Sequence, residues 1–261
     1  MRRSRARTVL SVVVVALIAL AGCAGGDGED TAIPTSAPTT EAAPSTSAPA
    51  PPTTVSPSSC PGDDPVPPEG AEDVSEVSAD VDGDGAPDRV LAYRRGDGTR
   101  RVAVELAGGG TAAIDASTSE IEGPAPLSVL GGVDLGGDGD TVLAITGAGA
   151  SVVVVGLFQF VECAIARVSF PSGEGVELPL GGGITHGDGI ACAESALVRL
   201  SATSTDGEAF SATDTSYQVD GNTLIEVDSE TATLTRATDD EEINRYYALD
   251  CPALENPPGE I

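Results

Sequence analysis

The sequence predicts an all-β domain of repeated antiparallel sheets, with one short helix near the C-terminus. First, short apolar runs alternate with Gly- and Asp-rich turns from about residue 77 onward. Second, the chain has no Trp and only four Tyr and four Phe. Its core must therefore consist mainly of Val, Leu, Ile and Ala, which suits strands. Third, one segment recurs at the spacing expected for a four-stranded module.

Alternation of apolar and polar residues marks the individual strands. It is clearest in residues 101–106 and 223–227, as a half-buried strand requires. Asp-Gly and Gly-Asn dipeptides between neighbouring runs are hairpin signals. A helix is predicted at residues 239–247, because acids at its start suit a helix N-terminus. The candidate strands are 89–94, 101–106, 111–115, 141–146, 151–160, 163–170, 196–205, 209–219, 223–227 and 230–236.

An internal repeat supports the modular reading. Residues 79–93, which contain Asp80, align with residues 133–145, which contain Asp134, with two residues missing from the second loop. A third, eroded copy lies around Glu194. The steps between these acids are 134 − 80 = 54 and 194 − 134 = 60 residues, the length of a four-stranded sheet module.

Residues 1–22 are interpreted as a lipoprotein signal peptide. A positively charged start precedes an apolar run at 9–20, which is too short for a comfortable membrane span and typical of a signal-peptide core. The run ends in Leu-Ala-Gly-Cys at 20–23, which matches the bacterial lipobox. Resemblance to bacterial lipoproteins implies cleavage before Cys23 and lipid on its thiol. The alternatives are an uncleaved anchor or an ordinary secretory signal.

Residues 23–59 are predicted to be the lipidated cysteine followed by a disordered tether. The segment is rich in Ser, Thr, Pro and Ala and has nothing to form a packed core. It is interpreted as a spacer, and its composition leaves O-glycosylation open. Residues 60–261 are then expected to form a single all-β domain.

The cysteines after Cys23 predict two disulfides. Their number is even, the protein is expected to be exported, and their wide spacing matches neither a CxxC redox motif nor a zinc site. Three connectivities are possible. We favour Cys192–Cys251, which would attach the C-terminal segment, and Cys60–Cys163, which would attach the start of the domain.

A calcium-binding loop is predicted after residue 79. Asp80, Asp82, Asp84 and Asp88 follow a D-x-D-x-D-G-x-x-D pattern, which aims alternate carboxylates at one point. Calcium takes six to eight oxygen ligands. Gly85 permits the sharp turn of the chain around the ion. Unlike an EF-hand loop, this one leads into an apolar strand.

The loop and the strand after it, residues 77–93, resemble the FG-GAP/VCBS repeats of β-propeller proteins, with a weaker echo at 131–147. Together with the tether, the repeats resemble cell-envelope lipoproteins of high-GC, actinobacterial type. The resemblance implies propeller-blade-like repeated antiparallel sheets, in a small or incomplete β-propeller-like assembly. It also implies that the four aspartates bind a structural Ca²⁺, with a backbone carbonyl near Ala86. A weaker second loop would use Asp134, Asp138 and Asp140, because Gly136 replaces one ligand and the loop is shorter.

The charge balance argues against nucleic-acid partners. The chain has 13 basic residues, all Arg, and 41 acidic residues, for a formal net charge of −28. Loss of the first 22 residues removes four Arg and gives 9 − 41 = −32. Such a charge repels phosphate backbones and favours solubility and the binding of divalent cations.

No convincing catalytic apparatus is present in the sequence. A Ser-His-Asp site would have to use His186, the only histidine, which lies beside glycines. The sequence has no Gly-x-Ser-x-Gly motif to provide the nucleophilic serine. Glycoside hydrolysis by an Asp/Glu pair is still possible, because the chain has 41 acidic residues. The sequence has no Trp, however, to stack against a sugar.

Three functions are therefore weighed. The favoured one is a non-enzymatic, Ca²⁺-stabilised β-repeat domain, held on the extracytoplasmic face of the membrane by its lipid and binding an envelope protein or glycan as a monomer. The alternatives are an envelope hydrolase and a structural or solute-binding subunit of an envelope complex. The partner and the linker glycosylation are not encoded in any recognisable motif.

Overall fold

The computed structural model describes residues 60, 62, 66–116 and 127–254. The predicted signal peptide, Cys23 and the tether lie outside the described residues, as does the chain after residue 254.

The described residues form fourteen strands and one helix. In chain order these are β1 (Glu72–Ala79), β2 (Asp88–Arg94), β3 (Arg100–Glu105), β4 (Thr111–Asp115), β5 (Ser128–Val133), β6 (Thr141–Ala148), β7 (Val152–Val161), β8 (Ala164–Arg167), β9 (Glu177–Gly183), β10 (His186–Ala193), β11 (Ala196–Ser204), β12 (Ala209–Asp220), β13 (Thr223–Thr235), α1 (Arg236–Arg245) and β14 (Leu249–Asp250).

Three antiparallel meanders of four consecutive strands make up the fold. The first meander, β1–β4, is a sheet of its own. The second meander (β5–β8) and the third (β10–β13) are joined into one ten-stranded sheet by β9, which pairs with β7 and β10. Within the described residues neither sheet closes on itself. The predicted fold class, repeated open antiparallel sheets with one short C-terminal helix, is confirmed.

The two faces of the second meander are buried in different hydrophobic clusters. This is possible because successive side chains of a strand point to opposite faces of its sheet. In β6, Val142 and Ala144 belong to a cluster shared with the first meander, whereas Leu143 belongs to a cluster shared with the third. Phe158 of β7 is fully buried in the cluster between the first and second meanders. The second meander is therefore covered on both faces.

Other segments cover the outer faces of the first and third meanders. Ile243 of helix α1 and Tyr246, directly after it, pack in one cluster with Phe210 of the third meander. At the first meander, Val66 packs against a small cluster that contains Leu91. Among the described residues, no helix has both the length and the apolar character that a membrane span requires.

Two disulfides join distant parts of the chain, and both are the pairings favoured from the sequence. Cys60 is bonded to Cys163 in the turn between β7 and β8, and Cys192 is bonded to Cys251 after β14. The Cys60 carbonyl also lies close to Gly110 in the turn between β3 and β4. Cys60 is thus covalently attached to the second meander and also lies next to the first meander.

Apart from the two-residue β14, four of the described strands lack a sequence prediction: β1, β5, β9 and β10. The glycine content of β10 is typical of a loop, but these glycines are required because other chain segments pack against the backbone of the strand. A Cβ at Gly189 would lie 2.5 Å from the Arg245 carbonyl oxygen, and one at Gly187 would lie 2.7 Å from the Tyr247 ring. The segments predicted as two strands at 223–227 and 230–236 are one long strand, β13.

Candidate metal centre

The first Asp loop, residues 80–87, connects β1 to β2 of the first meander. Its glycines allow the tight path: Gly83 has φ +71° and Gly85 has φ +86°, which L-residues with a side chain rarely adopt. The loop closes on itself through the Gly85 amide, which donates a hydrogen bond to Asp80 Oδ2 at 3.0 Å.

Three carboxylates of this loop converge. One oxygen from each of Asp80, Asp82 and Asp88 can be chosen so that all lie within 4.8 Å of one another. Asp88 begins β2 and is only 1% exposed. Its two oxygens accept hydrogen bonds from the Val81 amide (3.0 Å) and the Ala107 amide (2.8 Å), so its carboxylate is held from both sides. Each of these oxygens keeps a further lone pair for a cation.

The unusual atom of the centre is Asp80 Oδ1. It is buried and has no hydrogen-bond partner among the described residues. A buried carboxylate oxygen without a partner is costly, and such atoms are rare in folded proteins. A cation bound between the three carboxylates would provide that partner.

The carboxylates destabilise one another's charge. Burial raises the pKa of Asp82, and repulsion from Asp88, Asp84 and Asp80 adds to the increase. Burial likewise raises the pKa of Asp88, with repulsion from Asp84 and Asp80, although the two backbone hydrogen bonds oppose this. A divalent cation would reverse this balance, because it favours the ionised form of every carboxylate around it.

Asp84 lies outside the group of three. Its Oδ1 accepts a hydrogen bond from the Ala86 amide at 2.7 Å, and its own amide donates to Asp82 Oδ1 at 3.2 Å. Asp84 is exposed and belongs to the turn that shapes the loop. Its predicted role as a fourth ligand stays a prediction.

Comparison with protein-family models, with curated proteins and with solved structures finds no match for this chain.

The second Asp loop, residues 134–140, occupies the corresponding connection of the second meander, between β5 and β6. Asp134 Oδ1 accepts a hydrogen bond from the Gly136 amide at 2.8 Å. Asp140 points toward the first loop, where its Oδ2 accepts a hydrogen bond from the Asp80 amide at 3.1 Å. In the part of the chain that the structure describes, the three acids predicted here form no convergent group of their own.

The third, eroded copy occupies the same connection in the third meander. Glu194 and Ser195 form the short turn between β10 and β11, and Glu194 has φ +47°. A Cβ at Gly136 of the second Asp loop would lie 3.8 Å from the Ser195 carbonyl oxygen. The three aligned segments therefore form neighbouring turns at one end of the stacked meanders.

One buried residue of the site was missed from the sequence. Gln159 of β7 accepts a hydrogen bond from the Thr141 hydroxyl (2.7 Å) and donates one to the Gly139 carbonyl (3.2 Å). It holds the second Asp loop against the second meander and is only 3% exposed. A single polar residue within an otherwise apolar strand was the available signal.

Stabilisation by calcium is expected to increase with pH. In the ion-free folded protein the raised pKa values of Asp82 and Asp88 favour their protonated forms. That contribution to stability is complete below about pH 4, the ordinary aspartate range, and is lost as the pH rises through the raised values. Calcium requires the ionised forms. The melting temperature in calcium minus that in calcium-free buffer should therefore widen between about pH 4.5 and about pH 7.5. A constant difference over this range would contradict carboxylate ligation.

Proposed function

We propose that this chain is a lipoprotein held on the extracytoplasmic face of a bacterial membrane, whose β domain is stabilised by calcium and engages an envelope protein or glycan without catalysis. The observation that carries the calcium part is the convergence of Asp80, Asp82 and Asp88 around the unpartnered, buried Asp80 Oδ1. The anchor part is supported by the lipobox that ends at Cys23.

The chemistry of the donors favours calcium over softer metals. All the converging groups are carboxylates, and neither His nor Cys belongs to the group. Hard oxygen donors on a flexible loop suit Ca²⁺, and an affinity on the order of 10⁻⁴–10⁻³ M is typical of extracellular modules. Because Asp80 follows β1 and Asp88 begins β2, a bound ion would clamp the two strands and act structurally.

The domain also offers an edge for a protein partner. Strand β13 lies at the end of the ten-stranded sheet, and residues 225–233 are exposed. Within the described residues, the backbone pairing on its outer side is confined to its start, where Ser169 forms a bridge at Thr223 through the Asn222 carbonyl and the Leu224 amide. An edge of this length accepts an extended partner segment as an added strand. Its acids, Glu226, Asp228 and Glu230, favour a basic partner over a second copy of this chain.

A hydrolase with an Asp/Glu pair is the main alternative, and the raised pKa values of Asp82 and Asp88 are the observation in its favour. Such an enzyme needs a carboxylic acid that reaches the substrate. Asp88 is almost completely buried, and each of its oxygens already accepts one hydrogen bond from a backbone amide. This pair is therefore better suited to holding a cation than to transferring a proton.

Calcium is expected to raise the melting temperature of the purified protein by about 3–12 °C. Binding at roughly 10 mM Ca²⁺ with the affinity above contributes about 1.5–3 kcal/mol to stability, and a domain of this size shifts by about 2–4 °C per kcal/mol. The measurement is thermal unfolding in calcium and in chelator, with disulfides intact. Asp82→Asn should abolish the shift, because it removes a carboxylate from the centre of the loop.

Asp97→Asn is the matched control for this experiment. It removes the same charge from the turn between β2 and β3, at the opposite end of the first meander. The shift should persist in this variant. If calcium stabilises the wild type and Asp82→Asn equally, the ion binds elsewhere; if it stabilises neither, the first Asp loop is an acidic turn.

Cys23→Ala is expected to release the protein from the membrane. Without the thiol no lipid can be attached, and a lone signal-peptide core of 9–20 is too short for a stable span. Fractionation of cells that express each form, with immunoblotting, measures this. A Cys23→Ala protein that stays wholly in the membrane fraction would contradict the lipid anchor.

A further inference from the structure

The two Asp loops are bonded to each other across the boundary between the first and second meanders. The Asp80 amide donates to Asp140 Oδ2 at 3.1 Å, and the Asp140 amide donates to the Asp80 carbonyl oxygen at 2.7 Å. The same residue of the first loop is thus held twice by one residue of the second. Asp80 is also the residue that carries the unpartnered buried oxygen.

The loops are packed too closely for side chains between them. A Cβ at Gly83 would overlap the Asp138 carbonyl oxygen, and a Cβ at Gly139 would lie 2.6 Å from the Val81 carbonyl carbon. The strands that lead into the loops are equally close, because a Cβ at Gly132 of β5 would lie 2.6 Å from the Ala79 Cβ of β1. The contacts at Gly83 and Gly139 are with backbone atoms, so the first loop cannot shift without moving the second.

We propose that the second Asp loop is not a second cation site but the support of the first, and that Asp140 is a positioning residue for calcium bound in the first loop. This inference rests on the proposed calcium function. By accepting the Asp80 hydrogen bond, Asp140 fixes the backbone from which the Asp80 carboxylate is aimed at the ion. One ion is bound per chain, and its binding tightens the contact between the first and second meanders.

The positions of the other acids in the second loop agree with this role. Asp134 is engaged in its own turn through the Gly136 amide, and Asp138 is exposed and contributes its backbone carbonyl to the contact. Neither side chain is part of a convergent group in the described residues. Asp140 alone of the three reaches across the boundary.

Calcium titration calorimetry on the purified protein tests the proposal. The wild type should bind one ion per chain. Asp140→Ala should raise the dissociation constant by about tenfold, the loss typical of one charge-assisted hydrogen bond. Asp140→Asn keeps an acceptor for the Asp80 amide and should recover most of the affinity. Asp138→Ala removes the same charge from the same loop, and its affinity and stoichiometry should match the wild type.

Each other result has a defined meaning. No binding by the wild type overturns the calcium function itself. Two ions per chain, a weakened Asp138→Ala, or an Asp140→Ala that binds like the wild type overturns the positioning role while the calcium function stands. A loss of affinity in Asp140→Asn equal to that in Asp140→Ala overturns the hydrogen-bond mechanism.

Amide hydrogen exchange of the wild type gives a second readout that does not depend on how a variant folds. Calcium should slow the exchange of the Asp140 amide, which lies outside the ligand loop but donates to the Asp80 carbonyl. Slower exchange confined to residues 80–88 would show that the ion is not coupled to the second meander and would overturn the proposal.

Discussion

Replacing Gly83 by alanine is expected to lower the free energy of unfolding by about 2–5 kcal/mol. Its φ of +71° costs a residue with a side chain about 1–2 kcal/mol. The new Cβ would also overlap the Asp138 carbonyl oxygen, which belongs to backbone and cannot rotate away, and forced packing of this kind adds about 1–3 kcal/mol. Urea unfolding of the two proteins measures the difference.

Gly85→Ala separates the two causes. Gly85 has a similar φ, +86°, but a Cβ there would meet no atom within 4 Å. This variant should lose only about 1–2 kcal/mol, the cost of the backbone conformation. Equal losses at the two positions would mean that the first and second Asp loops are not in contact in solution.

Removal of the Cys60–Cys163 disulfide is expected to destabilise the domain by about 4–5 kcal/mol. The bond spans 103 residues, and in the loop-entropy model a cross-link of that span restricts the unfolded chain by this amount. Both cysteines are replaced by serine, so that no free thiol remains. Urea unfolding should show a lower midpoint together with a larger m-value, because the unfolded chain becomes more extended.

The second disulfide provides the comparison. Cys192–Cys251 spans 59 residues, so the same model gives a loss smaller by only a few tenths of a kcal/mol. Removal of either bond should therefore have a similar effect. A loss below about 1 kcal/mol with an unchanged m-value would contradict an effect through the unfolded chain.

The repeated architecture could be predicted because its signal is local. The turns at Asp80, Asp134 and Glu194 follow the first strand of each meander, and the sequence spacing between them already equals one meander. The short C-terminal helix and the presence of two disulfides were also accessible from composition, whereas the observed pairing was the favoured one of three possible connectivities. The helix begins at Arg236 rather than residue 239, with the Asp239 carboxylate accepting a hydrogen bond from the Thr235 amide.

Strands whose pattern depends on distant contacts could not be predicted. β9 and β10 are rich in glycine, which has a low strand propensity. They are strands because α1 and the residues after it pack directly on their backbone, as at Gly189. β1 carries so many acids that only Val77 and Ala79 reveal its buried face.

The candidate site likewise has one part that could be predicted from local sequence and one part that depends on distant contacts. The convergence of Asp80, Asp82 and Asp88 follows from the spacing of a single loop, so the sequence was sufficient to predict it. The position of Asp140 depends on how one meander packs against the next, and that packing is decided by residues far apart in the chain. Alignment of the two loops identified Asp140 as a counterpart of Asp88, but not that it faces Asp80.

The Cys60–Cys163 bond also determines how the domain carries load. Tension that reaches the domain through the chain before Cys60 is transmitted across the disulfide to the turn between β7 and β8. The disulfide is the shortest covalent connection between these two points, so it carries the force. When the opposing force acts on the chain after Cys163, for example at β13, residues 61–162 lie outside that route, and the first meander and both Asp loops bear none of the tension. Strand β1 lies at an edge of its sheet, so a pull along it would otherwise break its hydrogen bonds one at a time. The disulfide protects β1 from that pull. The first Asp loop, where we propose that calcium binds, would therefore keep its geometry while the protein is under tension.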